Sequence, residues 1–430
     1  MPKTLVATPD PDDQHSTGET AGRTRKKTTK DKPKLRDGVM KRGTTWSYVI
    51  RVSEPETGIN KPKWVGGFAT EDDAKAARDE ARVKARRGEY VDRNTITVAE
   101  YLDDWIESHA MEIKPRTLSD YRSCIRLYVK PRIGSMRLQA VRPPTITKLY
   151  RDLMTGGGAK GKPLAHATVI HLHAILRKAF RDAVETDQLL EFNPVERAKR
   201  PRADHAEPGT IWTKEQLKTF LKFAQNHRLY AFFHLAAYTG ARRGELLYLR
   251  WSQVNLNNLQ IVIKGSAAVI DGKRVEGTTK GGRSRVVPID AETVEVLRKH
   301  RKQQDEDREL LGDDWRGKDD HVFTTGWGEP IYPDTVTGLM RDFVKEYNDP
   351  KGGDPPDEPL PYARLHDLRH IHATTLLLAG VSVHVVAARL GHADPAITLR
   401  VYAHVIRSAE TAVADIFARA IDDEDDQDDF

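Results

Sequence analysis

The chain has 430 residues, of which 38% are hydrophobic and 31% are charged, and its formal net charge is +6. Single cores usually stop growing below this length, so we expect roughly two to four domains. No uninterrupted apolar run reaches the ~18 residues that a membrane-spanning helix needs, which excludes an integral membrane protein. The N-terminus is polar and lacks the apolar core of a secretory signal, so a cytoplasmic protein is expected.

Cysteine content and charge distribution narrow the possibilities further. Cys124 is the only cysteine, which excludes an internal disulfide framework and a cysteine-rich zinc ribbon within one chain. Seven of the last nine residues, 422–430, are acidic and none is basic, so the rest of the chain is far more basic than its net charge. A basic body suits a polyanionic partner, although Lys and Arg also serve as ordinary solubilising surface.

The N-terminal segment is basic and poor in large apolar side chains. Eight Lys or Arg residues lie between positions 23 and 36. A segment of this composition cannot bury enough apolar surface to fold, so residues 1–37 are expected to form a disordered arm. The arm either contacts phosphates or is a solvated tail.

Residues 38–90 show the pattern of a small sheet followed by a helix. Apolar side chains recur at every second position at Trp46, Tyr48, Ile50 and Val52, which is the period of a strand with one buried face. The further predicted elements are a strand around residues 63–65 and a helix that runs from the N-cap Thr70 to about Arg87.

Residues 95–192 are predicted to form an all-α domain with four helices. Thr97 and Glu100 form a capping box, which marks the start of the first helix. The second helix is predicted to begin near Thr117 and to end before Pro131. The third is predicted to cover about residues 145–154 and the fourth about residues 166–186. The basic, proline-containing segment 193–212 is predicted to be an interdomain linker.

Residues 213–410 are predicted to form a larger α+β domain. A capping box begins at Thr213, and most of the region has helical periodicity. Short strands are predicted at residues 260–263, 267–270 and 285–289 from their β-branched content, with Lys280 in a hairpin turn between two of them. The C-terminal residues 411–430 are predicted to be a helix followed by an acidic tail. The fold class is therefore multidomain and mainly α, with one small sheet-plus-helix domain at the N-terminus.

Several residues of the larger domain are of types that can bind a phosphodiester or attack its phosphorus. Breaking such a bond without a metal requires fixed donors that neutralise charge on the nonbridging oxygens. Arginine serves best because it is planar, permanently cationic and bidentate toward phosphate. Arg242 and Arg369 are therefore the best candidates to bind the phosphate. Arg369 shares a helix face with His366 if residues 367–378 are helical.

Each of these residues also has an ordinary structural interpretation. An arginine at position 242 or 243 can be a surface cation near a helix start. His366 and His370 have the spacing of a zinc pair, but the glutamate of the usual metalloprotease helix is absent and Arg369 would place a positive charge beside the metal. His392 alone fits a helix cap and Tyr402 alone fits a half-buried aromatic residue, so the individual signals are weak.

The combination of motifs resembles the tyrosine recombinase (phage integrase) family. Residues 239–246 (TGARRGEL) with the following LRW resemble the first box of that family. The second box is matched by LHDLRH at 365–370 and by LGH at 390–392 with Tyr402 four positions after Thr398. Thr279-Lys280 with the following SRVVP is similar to the lysine hairpin. The resemblance covers about residues 95–410.

This resemblance implies a nucleophile and a set of phosphate ligands. Tyr402 would attack the scissile phosphate, forming a 3′-phosphotyrosine and releasing a 5′-hydroxyl. Arg242, Arg369 and His392 would hold the phosphate and its transition-state charge, and His366 would assist proton transfer. The covalent link conserves the phosphodiester energy, so no metal, nucleotide or other cofactor is implied.

The identity of two catalytic cations depends on alignment with the family motifs. Arg242 and Arg243 are adjacent, and the match to the first box favours Arg242. Lys264, Lys273 and Lys280 all lie in the hairpin region, and the preceding threonine favours Lys280 as the general acid that protonates the leaving 5′-oxygen.

The implied partner is double-stranded DNA. Residues 38–90 resemble an arm-binding domain of integrases, and the helical and catalytic domains would clamp the core attachment site. The resemblance implies a tetramer on DNA, with the helix at 411–420 docking on its own domain or on a neighbouring protomer, and mostly monomer in free solution. A directionality factor and a DNA-bending host protein are possible additional partners.

The expected function is integration or excision of a mobile element. The alternatives are a Xer-like recombinase that resolves chromosome or plasmid dimers, and a non-catalytic DNA-binding regulator with the same fold. A zinc hydrolase is a third alternative. The target site, the preferred direction and the source element do not follow from the sequence.

Overall fold

The computed structural model describes residues 37–53, 59–201, 212–279 and 281–408. By its contacts, the chain divides into two units, Met1–Arg93 and Asn94–Phe430. The predicted basic arm, apart from Asp37, lies outside the described residues, and so do Lys280 and the predicted C-terminal helix with its acidic tail.

The first unit contains the predicted sheet and helix. Its sheet is an antiparallel meander of β1 (Val39–Arg42), β2 (Thr45–Ser53) and β3 (Asn60–Phe68) in the order β1-β2-β3. Helix α1 (Glu71–Arg87) follows, and the Thr70 side chain accepts a hydrogen bond from the backbone of the first turn. Tyr48 and Ile50 are buried, and Trp46 and Val52 pack partly buried beside them. The predicted two-residue periodicity is confirmed.

The second unit begins with a helical domain. Its elements are α2 (Val98–His109), α3 (Pro115–Cys124), a π-helical turn (Ile125–Val129), α4 (Lys130–Ile133), α5 (Pro143–Gly156) and α6 (His166–Glu185), with short 3-10 turns at Leu138–Ala140 and Ala159–Gly161. The capping box of Thr97 and Glu100 is present as predicted. The helices enclose a large apolar core, to which Val195 from the start of the predicted linker also contributes.

The prediction that a helix ends before Pro131 is wrong. The chain remains helical through Pro131 because the preceding turn is a π-turn, in which Lys130 donates to the Ile125 carbonyl. Proline has no N–H to donate to the Leu127 carbonyl four residues earlier, but the Arg132 side chain donates to that carbonyl at 3.5 Å and to the Tyr128 carbonyl at 3.2 Å. The wider turn and this side-chain donor together accommodate the proline.

Helices make up about half of the described residues from 212 onward. They are α7 (Lys214–Ala224), α8 (Tyr230–Thr239), α9 (Arg243–Tyr248), α10 (Ala291–Leu311), α11 (Pro333–Asn348), α12 (Asp367–Leu378), α13 (Val383–Leu390) and α14 (Pro395–Ser408), with 3-10 turns at Trp251–Gln253 and Gly312–Asp314. The capping box at Thr213 is confirmed. A second apolar core lies between these helices and the adjacent strands.

Five strands of this domain form two separate sheets. They are β4 (Val254–Asn255), β5 (Gln260–Ile263), β6 (Gly265–Ile270), β7 (Lys273–Thr278) and β8 (Arg285–Pro288). One sheet has the order β4-β5-β8 and the other pairs β6 with β7. The predicted hairpin around position 280 is therefore wrong, because the flanking strands β7 and β8 belong to different sheets. The observed hairpin is β6-β7, whose pairing depends on contacts that local composition does not reveal.

Helix α3 of the helical domain contacts the β6-β7 hairpin. Lys114 Nζ donates to the carbonyl of Thr279 at 3.2 Å, and Arg116 Nη1 donates to the carbonyl of Val269 at 2.7 Å. Both bonds join the helical domain to the segment that leads into position 280.

The multidomain, mainly α fold class is confirmed, with a small N-terminal sheet and a mixed larger domain. Among the described helices, none has the length and apolar content required to cross a membrane.

Candidate active site

Arg369 joins three elements of the larger domain. It lies in the first turn of α12, which spans the predicted residues 367–378, and only 4% of its surface is exposed. Its Nη1 donates to the Gly240 carbonyl at 2.7 Å, and its Nη2 donates to the Leu390 carbonyl at 2.8 Å and to His392 Nε2 at 2.9 Å. One guanidinium therefore fixes the ends of α8 and α13 relative to α12.

The charge of Arg369 is only partly compensated within the protein. Burial, reinforced by the nearby Arg242, lowers its pKa to about 9, so it remains cationic at neutral pH. In the part of the chain that the structure describes, no carboxylate is bonded to this guanidinium. A buried cation without a bonded anion is a favourable position for a phosphate.

Arg242 lies at the N-cap of α9 and faces the same site. Its Nη1 forms an ion pair with Glu245 at 2.9 Å, and its Nη2 donates to the Gly391 carbonyl at 3.4 Å. The neighbouring Arg243 donates instead to Thr337 Oγ1 of α11 at 2.6 Å. Geometry thus places the Arg242 side chain in the site and directs Arg243 away from it.

Glu245 anchors the cations of the site. Its carboxylate is fully buried and accepts a two-bond fork from Arg285, with Nη1 to Oε1 at 3.1 Å and Nη2 to Oε2 at 2.7 Å. Burial raises the pKa of Glu245, but the bonds to Arg285 and Arg242 outweigh it and hold that pKa below its ordinary value. Glu245 is therefore a carboxylate that orients both arginines.

His392 is a neutral acceptor beside Arg369. Burial and the charges of Arg369 and Arg242 lower its pKa to about 4. Because Nε2 accepts from Arg369, the ring proton is assigned to Nδ1, which donates to Thr398 Oγ1 at 2.6 Å. Thr398 is buried on α14, so the histidine links the arginine to the helix that carries Tyr402.

Two glycines allow the backbone to approach these side chains. Gly240 and Gly391 end α8 and α13 in the left-handed region, with φ values of 62° and 69°. A Cβ atom at position 391 would lie 2.6 Å from the Arg285 guanidinium, and one at position 240 would lie 2.8 Å from the His372 ring. Both carbonyls accept bonds from site arginines, so the two glycines contribute directly to the geometry of the site.

Tyr402 lies on α14 with its ring packed into an apolar cluster of α12, α13 and α14. Only 2% of its surface is exposed. Its hydroxyl is 2.9 Å from His370 Nδ1, and His370 directly follows Arg369 on α12. Burial raises the pKa of Tyr402 to about 12, although Arg369 acts in the opposite direction. The phenol is therefore protonated at neutral pH and requires an acceptor for its proton.

His366 lies at the start of α12, at the rim of the site. Its side chain is exposed, and its ring meets the His370 ring edge-on with 5.1 Å between the centroids. Desolvation by the site walls lowers the pKa of His366, and the neighbouring His370 and Arg369 lower it further. The ring is therefore neutral at neutral pH. No bond joins His366 to Tyr402 among the described residues.

The lysine of the predicted hairpin, Lys280, lies outside the described residues. Lys264 and Lys273 are both exposed. The residue before position 280, Thr279, is buried, and its hydroxyl donates to the Arg283 carbonyl at 2.9 Å. The segment that carries Lys280 is thus held at Thr279.

One cluster within the described residues has metal-ligating side chains in reach of one another. Asp120, Cys124 and His171 of the helical domain have ligand atoms within 4.8 Å. His171 and Asp120 are bonded to each other at 2.6 Å, and burial raises the pKa of Cys124 to about 11, which keeps the thiol protonated. His366 and His370 belong to no such group of three among these residues.

The structure brings Arg242, Arg369 and His392 into one network and places Tyr402 and His366 beside it. Sequence reasoning missed the connecting residues, which are Glu245, Arg285, His370 and Thr398. Glu245 and His370 stand inside the two boxes, so their position was visible in the sequence. The bond from Arg285 to Glu245 and the contact between His370 and Tyr402 join distant parts of the chain and were not visible there.

Three family models match the chain in succession. Residues 39–85 match an Arm DNA-binding domain, residues 97–154 match the N-terminal SAM-like domain of phage integrases, and residues 211–408 match the phage integrase family. The third match contains the whole described arginine network.

Relatives with known names match over most of their length. A XerC-like tyrosine recombinase of Caldanaerobacter subterraneus subsp. tengcongensis is 28% identical over 80% of this chain and 88% of its own. The ICEBs1 integrase of Bacillus subtilis is 26% identical over 81% of this chain and 88% of its own.

Solved structures share the fold. The Tn1549 transposon integrase in complex with transposon right end DNA superimposes with a TM-score of 0.61 at 22% identity, over 75% of this chain and 99% of the other. The lambda integrase tetramer bound to a Holliday junction gives a TM-score of 0.53 at 19% identity, over 86% and 96% of the two chains. Family models and named relatives agree: this chain belongs to the phage integrase family of tyrosine recombinases.

Proposed function

We propose that the chain is a site-specific DNA recombinase that integrates or excises a mobile element through a 3′-phosphotyrosine at Tyr402. The observation that carries this proposal is the buried, cationic Arg369, which has no bonded carboxylate among the described residues and is next in sequence to the partner of Tyr402. A phosphodiester bound at Arg369 would lie within reach of the phenol.

The arginine network suits the charge that develops during phosphoryl transfer. Arg369 and Arg242 hold the nonbridging oxygens, and Glu245 keeps Arg242 in place before DNA arrives. Donors that are fixed in advance stabilise the transition state more than donors that must reorganise. His392 keeps Arg369 oriented through the bond to its Nη2.

Cleavage exchanges one phosphodiester for another. The Tyr402 oxygen forms a bond to phosphorus while the bond to the 5′-oxygen breaks, and that oxygen takes a proton from Lys280. A 5′-hydroxyl of a partner strand reverses the step, so rejoining requires neither ATP nor a metal.

The domain organisation supports contacts at two kinds of DNA site. In our proposal, residues 38–90 bind arm sites, while residues 95–192 and 213–410 enclose the core site and residues 193–212 link them. Binding at both sites would raise the effective concentration at the second one. By analogy with the lambda integrase tetramer bound to a Holliday junction, we propose a tetramer on DNA. We also propose a cytoplasmic location for this activity.

A nicked suicide substrate made from the attachment site of the element tests the proposal. With EDTA present and ATP absent, the wild-type protein should form a covalent adduct that is sensitive to protease. Tyr402→Phe should form none, whereas Tyr332→Phe, at an exposed tyrosine, should behave as wild type. Absence of the wild-type adduct, with salt-dependent DNA binding retained, would instead favour the non-catalytic regulator.

A further inference from the structure

The proton of the Tyr402 hydroxyl has one acceptor within the described residues. His370 Nδ1 lies 2.9 Å from the phenol oxygen, which is hydrogen-bonding distance. The tyrosine is almost entirely buried, so bulk water cannot easily take the proton. His366, to which the sequence motif assigns proton transfer, is exposed and has no bond to Tyr402 among the described residues.

We propose that His370 is the base that removes the proton from Tyr402 during strand cleavage and returns it during rejoining. This inference rests on the proposed function and assigns a catalytic role that the family motif gives to a different histidine of the same helix.

The surroundings of His370 keep it able to accept a proton. Burial lowers its pKa, Asp367 acts in the opposite direction, and Arg364 and Arg369 reinforce the lowering. Its ring also faces the rings of His366 and Tyr402. At neutral pH the imidazole is therefore neutral, with the proton on Nε2 and the lone pair of Nδ1 directed at the phenol.

The step balances without a further reagent. The Tyr402 oxygen forms the bond to phosphorus as its proton moves to His370 Nδ1, and the 5′-oxygen leaves with a proton from Lys280. During rejoining, the incoming 5′-hydroxyl attacks phosphorus as its proton returns to Lys280, and the released phenolate recovers its proton from His370. The histidine is neutral before cleavage and neutral again after rejoining.

A residue that only positions Tyr402 would give a different kinetic signature. His370→Gln offers a polar side chain of similar reach but no basic nitrogen. Single-turnover adduct formation would be measured on a nicked substrate from pH 5 to 9, with His366→Gln as the matched control on the same helix. Wild type should lose activity below the ordinary histidine pKa of about 6.5, because protonated His370 cannot accept.

We expect His370→Gln to slow adduct formation by about 10²- to 10⁴-fold at neutral pH. The variant should also lack the acid limb of the pH–rate profile, which is the loss of rate that wild type shows at low pH. His366→Gln should retain that limb. A substrate with a 5′-bridging sulfur leaves without a proton, so it should rescue a Lys280→Ala variant but not His370→Gln. The wild-type protein should still lose rate at low pH on this substrate, because Tyr402 must still give up its proton. This measurement uses the wild-type protein alone.

Three outcomes would overturn the proposal. His370→Gln could react within about 3-fold of wild type, or it could be slow with an unchanged acid limb, which would mean that His370 only positions the tyrosine. The acid limb could also disappear in His366→Gln. An adduct in wild type with any of these outcomes refutes the base assignment alone, whereas no adduct in wild type refutes the proposed function as well. Circular dichroism and DNA binding would establish that each variant is folded.

Discussion

The helical domain and the arginine network are both buried, but different forces organise them. In the helical domain, side chains such as Leu172 and Phe180 are fully enclosed by other apolar groups, and its N-terminal polar groups are satisfied by a capping box. The network around Arg369 instead buries charges, and Arg369 itself donates to the carbonyls of Gly240 and Leu390 from two distant parts of the chain. In the helical domain, apolar burial stabilises the fold. In the network around Arg369, bonded charges fix the relative positions of the side chains.

The difference predicts how each region responds to substitution. An apolar core loses free energy in proportion to the atoms and volume removed, and its neighbours partly relax. A buried guanidinium that bridges three acceptors leaves all of them unpaired when it is lost. A change that keeps the charge and part of the hydrogen bonding, such as Arg→Lys, should therefore act mainly on reaction rate, whereas truncation of a core side chain should act mainly on stability.

The largest expected effect on stability is that of Phe180→Ala. Removing this fully buried ring should lower the free energy of unfolding by about 3–5 kcal/mol, measured by urea denaturation. Leu127→Ala, at a half-exposed position of the same domain, is the control and should change little. If the folded fraction of Phe180→Ala also formed the covalent adduct far more slowly, the separation of the two regions would be refuted.

Arg369→Lys should act on rate rather than on stability. Lysine keeps the charge but cannot donate to Gly240, Leu390 and a phosphate at once, so adduct formation should fall by about 10²- to 10³-fold. Arg132→Lys, where an exposed arginine donates to a helix carbonyl, should stay near wild type in single-turnover assays. An equal loss in both variants would mean that overall charge, and not the network, determines the rate.

The same substitution in the two regions gives the smallest and most direct comparison. Glu245→Gln removes the buried partner of Arg285 and Arg242, and it should cost on the order of 2 kcal/mol of unfolding free energy. Glu107→Gln breaks an exposed pair with Arg122 and should cost less than about 1 kcal/mol. Thermal unfolding of the two variants under identical conditions would show whether burial makes this difference.

Local signals in the sequence predicted the elements that carry the site. The capping boxes at Thr97 and Thr213 are observed, and α12 covers the predicted residues 367–378. Such signals are reliable because a helix start is satisfied by residues within one turn of each other. The Pro131 prediction was wrong because the local rule for proline includes neither a preceding π-turn nor a side-chain donor such as Arg132.

Partners across the fold could not be predicted in the same way. His370 stands next to Arg369 in the motif, but its bond to Tyr402 exists only because α14 packs on α12. Arg285 was predicted as part of a strand, and only the tertiary structure brings it to Glu245. Motif spacing identifies which residues belong to a site, whereas packing determines which of them touch.

The bonds between α3 and the β6-β7 hairpin have a consequence for protein engineering. Lys114 and Arg116 donate to backbone carbonyls, of Thr279 and Val269, and every amino acid offers such a carbonyl. The hairpin can therefore change in sequence without losing these bonds, provided that its backbone keeps its path. In a chimera that takes its helical domain from a relative in order to redirect target choice, the graft would need long cationic side chains at these two positions. A third bond, from Ser119 Oγ to Asp271 Oδ1 at 2.8 Å, joins two side chains, so these two residues would have to be kept or exchanged together.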